Sequence, residues 1–200
     1  MQQSLYSDIA SIEGVSAVQP ILKETEGHNE TEELLLREFT RIVPDYTIEG
    51  VQLTSDLVDN YPVLPTNITA GRNLQVGDSG VVLLSKDLTA FFGVYVPVAG
   101  LGFIRAAEVG DTVKVLGRNF KVIGIFEPSA VENTITLYMN LSDAQSVTGD
   151  IGMITSIRVF TESSDVVTGV AETIKSKHPE LLTNSAQSPF LHPLYFQNQI

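Results

Sequence analysis

The chain has 200 residues, 43% of them apolar and 18% charged, which fits a globular protein and excludes a disordered one. Its 12 Lys and Arg against 24 Asp and Glu leave a formal net charge of −12, which repels phosphate backbones and argues against a nucleic-acid partner. With no cysteine there is no disulfide, thiolate nucleophile or zinc-finger site, and the longest apolar run, Val94 to Ile104, is glycine-broken and short of the roughly 18 residues that span a bilayer.

In chain order, Leu5, Ile9 and Ile12 fall at the spacing of one helical face, and Gly14 follows as a cap. A strand is predicted over Val15 to Leu22. The acidic stretch after it, with Glu24, Glu26, Glu30, Glu32 and Glu33 around His28, has no regular ligand spacing and reads as a solvated hairpin tip rather than a metal site. Leu36 to Leu53 alternates as strand, broken at Pro44-Asp45, and Pro62 and Pro65 punctuate a loop.

From there to about Asn140 the chain turns to short strands and glycine turns: Gly80 to Leu84, Thr112 to Leu116, Asn119 to Phe126 and Thr136 to Met139. The pair around Gly117-Arg118 is the clearest hairpin signal. A strand over Ile154 to Phe160 then leads into a helix with Val167, Val170 and Ile174 on one face. Ser163, Ser164 and Asp165 offer its N-cap, cations at Lys175 and Lys177 with His178 suit its last turn, and Pro179 stops it. Leu181 to Ala186 is the returning strand. Ser188 to Ile200, with Pro189 and Pro193 and no period, reads as an extended exit segment whose apolar side chains either pack back on the domain or lead beyond this stretch.

The expected fold class is α+β, a discontinuous α+β subdomain interrupted by a β-rich insert. The boundaries are 1–62 for the first part, 63–139 for the insert and 140–200 for the second part with the exit segment.

Gly77-Asp78-Ser79-Gly80 spells the surroundings of a protease nucleophile, which needs a histidine base and a buried carboxylate. Only His28 precedes it, and Val109-Gly110-Asp111-Thr112 repeats the pattern of Val76-Gly77-Asp78-Ser79, each time just before β-type residues. Gly supplies a positive φ and Asp bonds nearby backbone, so both stretches read as turns that launch strands. There is no nucleophile elbow, phosphate-binding loop or His-Glu-x-x-His, and His28, His178 and His192 are scattered. No catalytic, cofactor-binding or metal-ligating residue is assigned, and no enzymatic activity is expected. The start MQQSLYSDIA lacks the make-up of a signal peptide, and the chain as given reads as soluble. Sequons at Asn29, Asn67 and Asn140 hint faintly at an extracytoplasmic location.

Several stretches, in order, resemble the extracytoplasmic core domain of MacB-like ABC transporter permeases, a family that includes lipoprotein-releasing and FtsX-like permeases. They are SIEGVSAVQPIL at 11–22, ITAGRNL at 68–74, GVVLLSKDLTAFFG at 80–93, VGDTVKVLGRNFKVIGIFE at 109–127, TLYMNLSDAQSVTG at 136–149, and SIRVFTESSDVVTGVAETIKSKHPEL at 156–181. The resemblance implies a cell-membrane protein with this domain on the extracytoplasmic side, between its first two transmembrane helices. It also implies a porter-like α+β part with an inserted β-rich part, ATP hydrolysis by a separate nucleotide-binding subunit or domain, and a second permease copy. Cargo handled by relatives includes peptides, lipoproteins and small molecules. The different-class alternative is a free-standing secreted binding or adhesion module.

The chain departs from the resemblance at Val94 to Glu108, an apolar, glycine-broken insertion. It is either an extra strand or loop packed in the β-rich part, or an exposed apolar lip that touches a partner, a neighbouring copy or lipid-like cargo through Tyr95, Val98, Leu101, Phe103 and Ile104.

Overall fold

The computed structural model describes residues 5–26, 29–34, 37–42, 45–98, 101–128, 135–185 and 194–198. His28, His192 and the break at Pro44 lie outside the described residues. In chain order the elements begin with helix α1 (Leu5–Ala10), strand β1 (Val15–Glu26), the pair β2 (Asn29–Leu34) and β3 (Arg37–Ile42), and β4 (Tyr46–Val51). Helix α2 (Ser55–Asn60), β5 (Ile68–Gly71), β6 (Val81–Ser85) and α3 (Lys86–Thr89) follow, then β7 (Val94–Val98), β8 (Leu101–Arg105), β9 (Thr112–Val115) and β10 (Arg118–Phe126). The chain continues through β11 (Thr136–Asn140), α4 (Leu141–Thr148), β12 (Ser156–Thr161), a 3-10 turn, α5 (Val167–Lys177), β13 (Leu181–Ser185) and β14 (Leu194–Asn198).

These elements form two compact units. The first comprises Met1–Lys23, Gly50–Val63 and Leu141–Ile200; the second comprises Glu24–Glu49 and Leu64–Asn140. The sequence boundaries put all of 1–62 in one part, whereas in the structure Glu24–Glu49 groups with the second unit.

In the first unit the strands run in the order β13-β14-β12-β1, every neighbour antiparallel. Of the expected exit segment, Leu194 to Asn198 is a strand lying between β12 and β13, with Phe196 fully buried, so this part packs back on the domain and the reading without a strand is corrected. Proline-rich flanks hid it, because a strand recruited by long-range pairing needs no period of its own. Val170 and Ile174 bury the inner face of α5, as their spacing predicts. No side-chain cap bond holds Ser163, so its expected capping role is not seen; the Thr161 hydroxyl instead donates to the Ser163 carbonyl. At α2 the Thr54 hydroxyl accepts from the Leu57 N–H, an N-cap the sequence carried unnoticed. The three chain segments of this unit meet at a polar knot. The Arg158 guanidinium donates to Gln19 Oε1 at 3.0 Å and to the Val63 carbonyl at 3.4 Å, while Gln19, buried, donates to the Gln52 carbonyl at 3.5 Å.

In the second unit the order is β4-β11-β6-β10-β5, with β9 also on β10. β10 is the organising strand: parallel to β6, antiparallel to β5 and β9. Its alternating burial puts Phe120, Val122 and Phe126 into the core beside Val82, Leu83 and Leu84. The β9–β10 hairpin closes through Leu116 and Gly117, both at positive φ (45° and 80°), the backbone of a type I′ turn. Two further ribbons, β2–β3 and β7–β8, stand as separate two-stranded sheets.

Candidate functional site

The apolar insertion folds as the β7–β8 ribbon, in register Val94↔Arg105, Tyr95↔Ile104, Val96↔Phe103, Pro97↔Gly102 and Val98↔Leu101. Successive strand residues face opposite sides, so Phe103 and Ile104 lie on opposite faces. They are 54% and 51% exposed. A strand packed on a core would hide one of the two. Of the expected contact residues Tyr95, Val98, Leu101, Phe103 and Ile104, the last two are thus exposed on opposite faces of the ribbon. Tyr95, Val98 and Leu101 are placed by their backbone register, and their side chains lie outside those described.

The base of the ribbon is fastened at both stems. On one side α3 ends with the Phe91 and Phe92 N–H groups both donating to the Leu88 carbonyl, and Phe92 meets Tyr46 edge-on at 5.6 Å. On the other, Arg105 closes β8 and its guanidinium grips Asp111 with two parallel bonds, 2.6 Å to Oδ2 and 2.8 Å to Oδ1. Arg105 also donates to the Ala106 carbonyl, and Asp111 Oδ2 accepts the Glu108 N–H at 2.7 Å. The Ala107 N–H donates to the Thr89 carbonyl, drawing the two stems together.

The same clamp occurs a second time. Arg72 grips Asp78 at 2.7 and 2.9 Å and donates to the Asn73 carbonyl, and Asp78 Oδ2 accepts the Gln75 N–H at 2.8 Å. The sequences are Arg72-Asn-Leu-Gln-Val-Gly-Asp78 and Arg105-Ala-Ala-Glu-Val-Gly-Asp111. In each case the hydrogen bond to Arg holds the Asp carboxyl below the ordinary carboxylate range, against a smaller opposing effect of desolvation, and raises the Arg further. Sequence reasoning found the repeated Val-Gly-Asp but stopped short of the arginine; extending the repeat four residues toward the N-terminus exposes it.

Asp78, beside Ser79, is therefore an ion-pair partner of Arg72 that fastens the turn. Gly77 and Gly110 have φ of +87° and +99°, the turn geometry expected of both stretches. The third sequon is put to structural use: Asn140 Nδ2 donates to the Asp78 carbonyl at 2.8 Å. His178 sits at the α5 terminus with Nδ1 3.6 Å from Glu180, and among the described residues no cluster of His, Asp and Glu could hold a metal ion. Among them, too, no helix is long and apolar enough to cross a membrane.

The family model of the MacB-like periplasmic core domain matches residues 2–177. The chain belongs to this family. No curated protein matches it in sequence. Among solved structures, this MacB-like core domain is similar to the extracellular domain of the noncanonic ABC-type transporter YknZ from Gram-positive bacteria, at 17% identity and a TM-score of 0.58, over 90% of this chain and 84% of that one. It is likewise similar to the periplasmic region of MacB from Actinobacillus actinomycetemcomitans, at 19% identity and a TM-score of 0.59, over 90% of this chain and 75% of that one. The mixed α+β fold expected from the sequence is thus the fold of MacB-like core domains. The chain is an extracytoplasmic domain of a MacB-like ABC transporter permease.

Proposed function

We propose that this domain couples the ATP-driven motion of its transporter to events outside the membrane, and that the β7–β8 ribbon is the element that touches cargo or a partner protein. The observation that carries this reading is the ribbon itself: Phe103 and Ile104 half open on opposite faces, with no charged residue between Val94 and Ile104 in a chain of net charge −12. A surface of that kind fits an apolar counterpart, such as a peptide, a lipoprotein or an apolar small molecule. The first unit is read as the porter-like part and the second as the β-rich insert carrying the contact. The nucleotide-binding subunit and a second permease copy act through the membrane region, and the domain itself catalyses nothing.

The test is ATP turnover by the full transporter with and without Tyr95–Ile104, a deletion that leaves Arg105 in place. Altered turnover with the permease still assembled is the expected result. Turnover and export both indifferent to the deletion refute the contact role.

A further inference from the structure

We propose that the Arg105–Asp111 pair is the positioning element that sets the pose of the apolar ribbon on the second unit. The inference rests on the contact reading of the ribbon given above, and its test separates the two.

Among the described residues β7 and β8 pair only with each other, so no sheet fixes the direction in which the ribbon points. Its pose then depends on the stems. Arg105 is the last residue of β8, opposite Val94 at the open end of the hairpin, and two parallel N–H to carboxylate bonds fix the plane of its guanidinium. Asp111 is itself immobilised. Its carboxylate also takes the Glu108 N–H, its carbonyl accepts the Val122 N–H at 2.8 Å, and the Gly110 N–H donates to the Val122 carbonyl at 2.8 Å. A continuous line of hydrogen bonds therefore runs from the end of the ribbon to the middle of β10.

The twin clamp supplies the contrast. Arg72 and Asp78 make the same bonds, and Arg72 bonds the neighbouring Ile123 carbonyl, but the strand before Arg72 is β5, which β10 already holds by pairing at Ala70 and Gly71. There the ion pair reinforces a strand whose place is settled. At Arg105 the same chemistry holds a strand that, among the described residues, pairs with β7 alone. Both arginines are partly open, 44% and 31% exposed at Arg72 and Arg105, so a difference between them reports what they hold rather than how deeply they lie.

The experiment uses the full-length permease assembled with its ATPase, with a spin label attached at Phe103→Cys; residues 1–200 contain no competing cysteine. Arg105→Gln should shorten the label's rotational correlation time, Arg105→Lys should do so less because one prong is lost while the charge remains, and Arg72→Gln should leave it at the parental value. With Phe103 intact, ATP turnover should move toward that of the ribbon-deleted transporter in Arg105→Gln and stay unchanged in Arg72→Gln. Should Arg105→Gln fail to accumulate, Asp111→Asn removes the other half of the pair and the same label decides. A ribbon no looser in the Arg105 and Asp111 variants, or loosened equally by Arg72→Gln, overturns the positioning role. A ribbon that loosens while turnover and export both stay at the parental value leaves the positioning intact and refutes the contact reading beneath it.

Discussion

Replacing Phe103 by serine tests whether the ribbon serves the fold or an outside partner. Fully burying a phenylalanine side chain is worth about 1.5–3 kcal/mol. Phe103 is 54% exposed, so its contribution to folding is about 1 kcal/mol, and its loss should lower the melting temperature of a domain this size by about 2–4 °C. The open half is the part a partner would cover. Of roughly 200 Å² of aromatic surface about 100 Å² remains free, worth about 2.5 kcal/mol at about 25 cal/mol per Å². After the losses of association, that corresponds to a contact about tenfold weaker or more. Thermal unfolding followed by circular dichroism and ATP turnover of the assembled transporter read the two halves separately. Phe126, 1% exposed and edge-on to Tyr138 at 5.6 Å, sets the core scale: Phe126→Ala should cost about 3–5 kcal/mol. Val76→Ser, at a site 51% exposed but off the ribbon, should change turnover in no way. If Phe103→Ser destabilises as much as Phe126→Ala, or leaves turnover where Val76→Ser leaves it, the ribbon is not a contact element.

Three other perturbations probe the frame. Asp78 and Asp111 titrate below their unfolded value of about 3.9, so in that range the unfolded chain binds more protons; their stabilisation is full above about pH 4 and is lost as acid carries the pH through the folded-state values. Urea midpoints of an Asp78→Asn, Asp111→Asn double variant should therefore fall less steeply on acidification than those of the parent, and an unchanged slope would count against the clamps. Gly77 and Gly71 both have positive φ, but an added Cβ meets nothing at Gly77, whereas at Gly71 it runs into the Ile123 carbonyl oxygen and comes within 2.9 Å of Val109 Cγ2. Gly77→Ala should cost about 1–2 kcal/mol and Gly71→Ala about 1–3 kcal/mol more, as denaturant midpoints would show; equal costs would refute the close approach. Ser85 is fully buried and its Oγ has no partner among the described residues, so Ser85→Ala should be neutral or stabilise by up to about 1 kcal/mol, and a clear loss would reveal a bond to that hydroxyl.

Local chemistry was legible wherever it settled the structure alone. The β9–β10 hairpin announced itself through a glycine between two alternating runs, and α5 through Val170 and Ile174 with a proline just past its end. What stayed hidden was decided by distant chain. Leu194 to Asn198 becomes a strand because β12 and β13 offer edges to it. Glu24 to Glu49 falls in the second unit although it continues a strand begun in the first. The apolar run from Val94 to Ile104 stood out in an acidic chain, but its residues alone left a packed strand or loop and an exposed lip both open, because pairing and exposure are set by the surrounding fold. The clamps escaped because a partner at i+6 across a turn belongs to neither the helical nor the strand period, and only the second copy of the spacing could have revealed it.

The knot of Arg158, Gln19 and Val63 also bears on the order in which the chain comes together. Gln19 is made early and Arg158 late, with the whole second unit synthesised between them. At about 5–20 residues per second, the buried amide of Gln19 waits on the order of ten seconds for the guanidinium it accepts from. Until then the strand that carries it lacks β12 along its edge, and an unpaired edge is where wrong pairings begin. A domain split in this way is vulnerable during its own biogenesis, and most of all in its first segment.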